Sequence, residues 1–447
     1  MFSARREHFD NAAGLTLAAA VAAAFATFRD YGVPWDAQGE AEYGRLLIRY
    51  YSSWFRDQAA FEFINFRFYG GGVELPAALL ARISPFDLYE TRHLFTALIG
   101  VVGLAVSGTL ARRLGGARAG FIPVGLLLLN PLWYGNAFIN ARDVPFATGM
   151  TGCLLLTLRV FDELPRIRWR TAVAFGAALG WTVSVRVGGV LALVYLLAAL
   201  ALWFVLHSRP RSMLLRSGAA LALALCTAYA VMAVLWPWSV QAPRNPWRAL
   251  QMFSRFPLHA PVLFDGELIP ASALPARYLP VQFAIRAPET LWLGLGAALL
   301  WAAASLRSWR RPGWLRERAP LLLVVLAALF PFAYFAALRP VAYNGMRHFL
   351  FVLPPLSVLA ALAIDRTLEL RWRAARIACA AALLLACLAP ARMMVALHPD
   401  QYVYFNAWVG GPRGAHGRYE LDYWGTSLGD AAGLLADHLE DRGLAPR

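Results

Sequence analysis

Apolar runs close to the twenty residues that a bilayer crossing needs recur along the whole chain, divided by short polar stretches. Eleven can be read, at 11–28, 92–110, 119–135, 144–161, 170–186, 188–206, 217–236, 288–306, 319–338, 347–364 and 375–390. Each predicts a transmembrane helix, so the expected fold class is an all-α integral membrane protein of about eleven spans. The stretch Val187-Gly188-Gly189, with Arg186 in the hinge, is read as a break between two spans rather than the middle of one. Three long segments interrupt the alternation, at 29–91, 237–287 and 391–447, and their Trp, Tyr, Pro and Gly content suits interfacial structure. Within the first, 42–51 and 72–82 have helical apolar spacing but are too short to span. They predict amphipathic helices lying on the membrane surface. A capped amphipathic helix is expected again over 426–441.

Composition supports the membrane reading, and charge supplies a direction. Of 447 residues, 59% are hydrophobic and 15% charged, and the mean hydropathy is +0.50, far from the balance of a soluble domain. The formal net charge of +15 could suggest nucleic acid, but the chain has no lysine and its arginines sit in short clusters between apolar runs. That pattern reads as membrane orientation, and no nucleic-acid partner is expected. With Arg5 and Arg6 inside, the basic clusters at 112–118, 166–170, 209–216, 307–318 and 366–376 all fall on the cytoplasmic side. The connections near 136–143 and 339–347 are arginine-poor and fall outside with the three long segments. No clear small-residue cleavage site follows the first run, which is therefore expected to stay as an uncleaved helix. Cys153, Cys226, Cys379 and Cys387 lie inside apolar runs and make no CxxC motif or extramembrane disulfide framework. Internal repeats, the signature of many secondary transporters, are absent.

Four groups of residues could carry chemistry, and all fall on the outer side. The stretch 31–44, just after the first run, carries Asp36, Glu40 and Glu42 at the water interface. Acids there can act as a general base for an acceptor hydroxyl or as ligands for a divalent cation. The plainer reading is a solvated loop whose acids balance Arg45 and Arg49. Asn140, Arg142 and Asp143 precede Pro145 in the turn before the fourth run, where Asp143 could equally be a helix cap. Tyr343, Arg347 and His348 open the tenth run, Arg347 offering a fork of donors to a phosphate or snorkelling to headgroups. The tail interleaves aromatics with His398, Tyr404, Asn406, Asp422 and Trp424. Rings that stack on sugars beside short polar groups suit a carbohydrate site, although an interfacial aromatic belt shows the same rings.

Taken in order, Trp35-Asp36, the turn Asn140-Ala-Arg142-Asp143-Val-Pro145, Arg347-His348 followed by Pro354-Pro355, and the tail from His398 to Asn406 and on to Asp422-Tyr-Trp-Gly425 resemble one family. It is the bacterial membrane glycosyltransferases related to protein O-mannosyltransferases and to the transferase that adds aminoarabinose to lipid A. The resemblance implies a C-type (GT-C) fold over 1–390, with a catalytic loop at 29–91, a second outer loop at 237–287 and an outer tail at 391–447. It implies residence in a bacterial inner membrane. It also implies transfer of a hexose or pentose, usually with inversion, from a polyprenyl-phosphate donor to a hydroxyl of a lipid, glycan or protein acceptor outside. By position Asp36 matches the family's first acid and Asp143 its second. Arg347, His348 and Arg142 would hold the donor phosphate, and Asn140, Tyr343 and the tail residues the sugar or acceptor. One departure stands out: the family's Asp-Glu pair is here Asp36-Ala37, so Glu40 or Glu42 substitutes or the chemistry is altered. A lipid or oligosaccharide transporter and a non-catalytic relative are the competing readings.

Overall fold

The computed structural model describes residues 2–207, 210–254, 256 and 260–442. Arg209, in one expected basic connection, and 443–447 of the expected tail lie outside them. Among the described residues nine helices are long and apolar enough to cross a membrane, or ten if one bent pair counts as a single span. The expectation of eleven differs from this at two places. The run at 119–135 folds as two helices, Ala117–Leu128 and Pro131–Ile139, bent by 66°. Asn130 makes that bend, its side chain accepting from the N–H groups of Leu132 and Trp133 at 3.1 and 3.3 Å while Pro131 opens the second helix. The run at 170–186 is the helix Trp169–Val185, whose 17 residues lie at the short end of the crossing range.

After Trp169–Val185 the chain does break. Arg186 is extended, with φ −148° and ψ 134°, and a 3-10 turn, Val187–Leu191, leads into Ala192–His207. The helix Pro210–Leu235 packs along Trp169–Val185. A Cβ at Gly176 or Gly180 would strike the carbonyl oxygens of Ala224 and Ala228, so this pair depends on small residues to approach closely.

Burial separates the spans into a centre and a periphery. The segments Arg347–Thr367 and Asp143–Glu163 are 83% and 78% buried over their apolar windows, against 11% for Glu7–Thr27 and 6% for Arg373–Ala396. Each central helix therefore begins its buried course beside a residue singled out above, Arg347 or Asp143.

The long segments pack onto one end of this bundle. In the first, Ala37–Ser52 and Glu74–Ala81 pack on each other, and Tyr43, Leu47 and Ile48 share a small core with Trp236. The second contains a hairpin that the apolar pattern did not predict, Pro261–Phe264 paired with Glu267–Pro270. Asp265 and Gly266 turn it with φ of 56° and 85°, the paired positive values that suit a tight hairpin. The tail continues this sheet edge, Gly266 N–H donating to the Arg418 carbonyl at 3.0 Å and Phe264 bridging to Tyr419. Its last helix is Leu428–Asp441, within the stretch expected to be helical.

Candidate functional site

Asp36 begins the helix Ala37–Ser52, with its carbonyl accepting the Glu40 N–H at 3.0 Å. Its side chain makes no capping bond, is exposed, and has no ion-pair or hydrogen-bond partner among the described residues. Glu40, one helical turn later, is the opposite case. It is buried, accepting from Arg92 Nη2 at 2.8 Å and lying 3.3 Å from Arg142 Nε. Burial pushes the Glu40 carboxyl up from its ordinary value while Arg142 and Arg92 pull it down. Glu42 points elsewhere and pairs with Arg45 at the surface, the balance that the plainer sequence reading describes.

The Asn140–Asp143 turn is held by its own side chains. Asn140 Oδ1 accepts from the N–H groups of Arg142 and Asp143 at 3.1 and 2.9 Å, and its Nδ2 donates to Asn136 and to the Asp143 carboxylate. That turn aims Arg142 at Glu40 and at Glu74, the latter also 3.3 Å away, with its guanidinium 3.8 Å above the Tyr69 ring. Asp143 is buried and ion-paired with Arg186, the residue extended between two helices.

Arg347 is placed by a left-handed turn. Asn344 and Gly345 have φ of 55° and 63°, and a Cβ at 345 would lie 2.9 Å from Arg286 Nε, so this position requires glycine. Glu420 accepts the Asn344 N–H at 2.8 Å and Tyr278 donates to the Gly345 carbonyl at 3.1 Å. The Arg347 guanidinium then sits among three rings, 4.6 Å from Tyr343, 4.9 Å from Tyr423 and 4.6 Å from Trp424. Tyr343 is also met edge-on by His348 at 4.6 Å.

These elements surround one cavity of about 1210 Å³, its open mouth included. Its polar wall carries Asp36, Glu40, Asn140, Arg142, Arg347 and His348, joined by Arg186, Tyr343 and Trp424. Phe330, Tyr334, Leu191 and Phe351 form the apolar side. Arg142 Nη2, Arg186 Nε, Arg347 Nε and Trp424 Nε1 are buried there without hydrogen-bond partners among the described residues. Such donors carry a cost until something accepts from them.

The other tail residues singled out in the sequence do not line this cavity. His398 meets Asp30 at 2.9 Å and Gln401 at 3.0 Å. Tyr404 donates to Glu289 at 3.0 Å, and Asn406 Nδ2 reaches the carbonyls of Ala284 and Ala287 at 2.7 and 2.9 Å. Asp422 accepts from Tyr402, from Gly425 N–H at 2.7 Å and from Ser427 Oγ at 2.5 Å. Residues that sequence reasoning passed over include Arg186, Glu74, Arg92, Tyr69 and Tyr423. Arg186 carried a usable signal, a charge inside an apolar run, which marks a functional candidate by default. Among the described residues no group of three or more His, Cys, Asp and Glu is placed to hold a metal ion.

No protein-family model matches the chain, and no curated protein matches it in sequence. Solved structures match it in fold. ArnT from Cupriavidus metallidurans in the apo state aligns with a TM-score of 0.51 at 18% identity, over 87% of this chain and 71% of ArnT. ArnT bound to undecaprenyl phosphate aligns with a TM-score of 0.50 at 19% identity over the same shares, 87% and 71%. The archaeal oligosaccharyltransferase AglB from Archaeoglobus fulgidus, in complex with an inhibitory peptide and a dolichol-phosphate, aligns with a TM-score of 0.58 at 13% identity. That match covers 88% of this chain and 56% of AglB. The chain therefore has the polytopic membrane fold of these GT-C glycosyltransferases.

Proposed function

We propose that the chain is a membrane glycosyltransferase that moves a sugar from a polyprenyl-phosphate carrier to a hydroxyl of a cell-envelope acceptor, on the side opposite a cytoplasmic N-terminus. One observation carries this reading: a single cavity presents a carboxylate, Asp36, and a caged arginine, Arg347, neither of which has an ion-pair partner among the described residues. The solved ArnT holds undecaprenyl phosphate and AglB a dolichol-phosphate, so lipid phosphates suit a fold of this shape.

In the step we assign, the acceptor oxygen attacks the anomeric carbon and its proton goes to Asp36, because a sugar or lipid hydroxyl is a poor nucleophile without a base. The bond from the anomeric carbon to the phosphate oxygen breaks, and its electron pair leaves with the carrier. Negative charge thus moves from Asp36 to the departing phosphate, where Arg347 receives it. Preorganised donors of this kind lower a barrier because they need not reorient as charge develops. Arg142 and Arg186 extend the donor set, although their carboxylate partners hold them in place. Trp424 and Tyr343 supply ring faces for the sugar, and the apolar side of Phe330, Tyr334 and Phe351 receives the start of the lipid chain.

Ala37 stands where the resembled family has an acid, and Glu40 is too tightly paired to replace it as a base. Asp36 therefore acts alone. Mass spectrometry of envelope glycans and lipids tests the assignment in cells carrying the wild-type chain, the Asp36→Asn chain or no chain. A glycosylated product present with wild type and lost in the other two is the expected result. Undiminished product with Asp36→Asn defeats the assignment.

A further inference from the structure

With the leaving phosphate assigned to Arg347, the attacking hydroxyl must come from the side of Asp36, and there the chain presents Trp35. Trp35 directly precedes Asp36 and stands outside the cavity wall. It is 69% exposed, yet the backbone under it is held fast. Trp35 N–H donates to the Trp424 carbonyl at 3.4 Å, Ala37 N–H donates to the Pro34 carbonyl at 2.9 Å, and a Cβ at Gly32 would lie 2.3 Å from the Thr426 carbonyl oxygen. An exposed ring on a fixed backbone is already ordered for a ligand to cover. That ring meets Tyr423 edge-on at 6.0 Å, and Tyr423 in turn lies 5.7 Å from Tyr343 and 4.9 Å from the Arg347 guanidinium. The rings thus run in a row from the exposed lip to the buried arginine, with Asp36 one residue from its outer end. The Tyr423 hydroxyl, within that row, has no hydrogen-bond partner among the described residues.

We propose that the acceptor is an uncharged sugar ring and that Trp35 is the platform on which it lies. The proposal rests on the transferase reading above. A pyranose has a C–H face that covers an aromatic ring and hydroxyls around its rim, so one sugar can bury the exposed face of Trp35 while its rim reaches Asp36 and the Tyr423 hydroxyl. A Ser or Thr side chain or a glycerol hydroxyl has no such face and would leave Trp35 in water. Charge turns away a phosphorylated acceptor. The charges that act on Tyr423 are those of Arg347, Asp36 and Glu420. Arg347 stacks on Tyr343, Tyr423 and Trp424 and serves the carrier phosphate, and Arg286 is bonded to the carbonyls of Glu420 and Tyr402 at 2.6 and 3.3 Å. A phosphate on the acceptor would therefore meet two carboxylates and an arginine already in use. In the transfer, the hydroxyl oxygen of the acceptor ring bonds to the anomeric carbon of the donor and its proton goes to Asp36. The electron pair of the broken bond leaves with the carrier phosphate. The product then carries two sugar rings in succession, laid along the row of aromatics.

The test compares envelopes of cells with and without the full chain, and locates by permethylation and mass spectrometry the atom to which the chain-dependent sugar is attached. Attachment to a hydroxyl of another sugar ring is expected. Trp35→Ala should lower that product about tenfold, roughly the loss of one stacked ring, whereas Trp35→Tyr should keep it within about threefold of wild type. Native mass spectrometry of the purified chains in nanodiscs, with undecaprenyl phosphate as the probe, should show the carrier bound by both variants as by wild type. Where Trp35→Ala loses the carrier as well, Trp35→Leu, which keeps bulk without a flat ring, takes its place. Attachment of the sugar to Ser, Thr, a phosphate or a glycerol hydroxyl overturns the acceptor class and leaves the transferase reading standing. Undiminished product from a carrier-binding Trp35→Ala or Trp35→Leu chain overturns the platform. Absence of any chain-dependent sugar overturns both the proposal and the transferase reading.

Discussion

The cavity wall and the docked tail are built from the same residue types, aromatics interleaved with Asp, Asn and His, yet they treat polar groups in opposite ways. In the tail each singled-out group outside the cavity has a protein partner: Asn406 holds two carbonyls, Asp422 holds four donors, Tyr404 meets Glu289 and His398 meets Asp30. In the cavity Asp36 has no side-chain partner among the described residues, and donors on Arg142, Arg186, Arg347 and Trp424 are buried without one among them. A satisfied network stabilises a fold, whereas an unsatisfied one waits for a ligand. The pair Asp36 and Glu40 shows the contrast within one helical turn.

The largest effects should therefore separate along that line. Asp36→Asn is expected to lower transfer by about 10²–10⁴-fold, the usual worth of a positioned base, while thermal unfolding of the purified chain stays within a degree or two of wild type. Glu40→Ala should behave in reverse. It leaves Arg92 without a carboxylate and Arg142 with Glu74 alone, and removing one member of a buried pair costs about 3–5 kcal/mol. Lost yield and a large fall in Tm are the measurements. A Glu40→Ala protein as stable as wild type would show that the network is wet and the contrast unreal.

Much of the fold can be read from the chain because a bilayer imposes a length and a polarity on every span. The departures have local causes. The run at 119–135 looks continuous in hydropathy, and only the capping geometry of Asn130-Pro131 shows that it bends. The hairpin at Pro261–Phe264 and Glu267–Pro270 has two four-residue strands, too short for alternation to stand out, though Asp265-Gly266 is a recognisable turn. At the site, acids and arginines at span ends were legible as candidates because charge is costly at that depth. Their pairing was not. Nothing in linear spacing says that Arg186 meets Asp143, that Glu74 and Glu40 share Arg142, or that Asp422 turns toward Tyr402. Such contacts join residues far apart in the chain, and they decide whether a polar group is structure or site.

A middle-sized effect sharpens the tail side of the contrast. Asn406→Ala leaves the Ala287 carbonyl without its side-chain donor, the Ala284 carbonyl with Trp292 Nε1 at 3.3 Å in place of two side-chain donors, and the Trp408 N–H without its acceptor. Unmet buried groups cost about 1–3 kcal/mol each, partly relieved where water enters. A clear drop in Tm with transfer per folded molecule unchanged is expected. If instead stability held and turnover fell, Asn406 would have to be moved to the cavity side.

The smallest effect tests the seam between the two regions, where Glu420 of the tail accepts the Asn344 N–H and so shapes the turn that carries Arg347. Burial raises the Glu420 carboxyl above its ordinary value of 4.5, although the Asn344 hydrogen bond, Arg286 and Arg347 all pull the other way. The folded state therefore holds this proton more tightly than the unfolded chain does. As pH rises from the unfolded pKa through the folded one, the folded state loses stability relative to a chain without that carboxylate. Glu420→Gln keeps an oxygen to accept from Asn344 and removes the charge that burial disfavours. Its Tm should match wild type in acid below that window and exceed it by a few degrees above it. A Glu420→Gln chain less stable than wild type at neutral pH would mean that the attraction of Arg286 and Arg347 outweighs burial. The tail would then be fastened to the Arg347 turn by charge, as the cavity is, and not by hydrogen bonds alone.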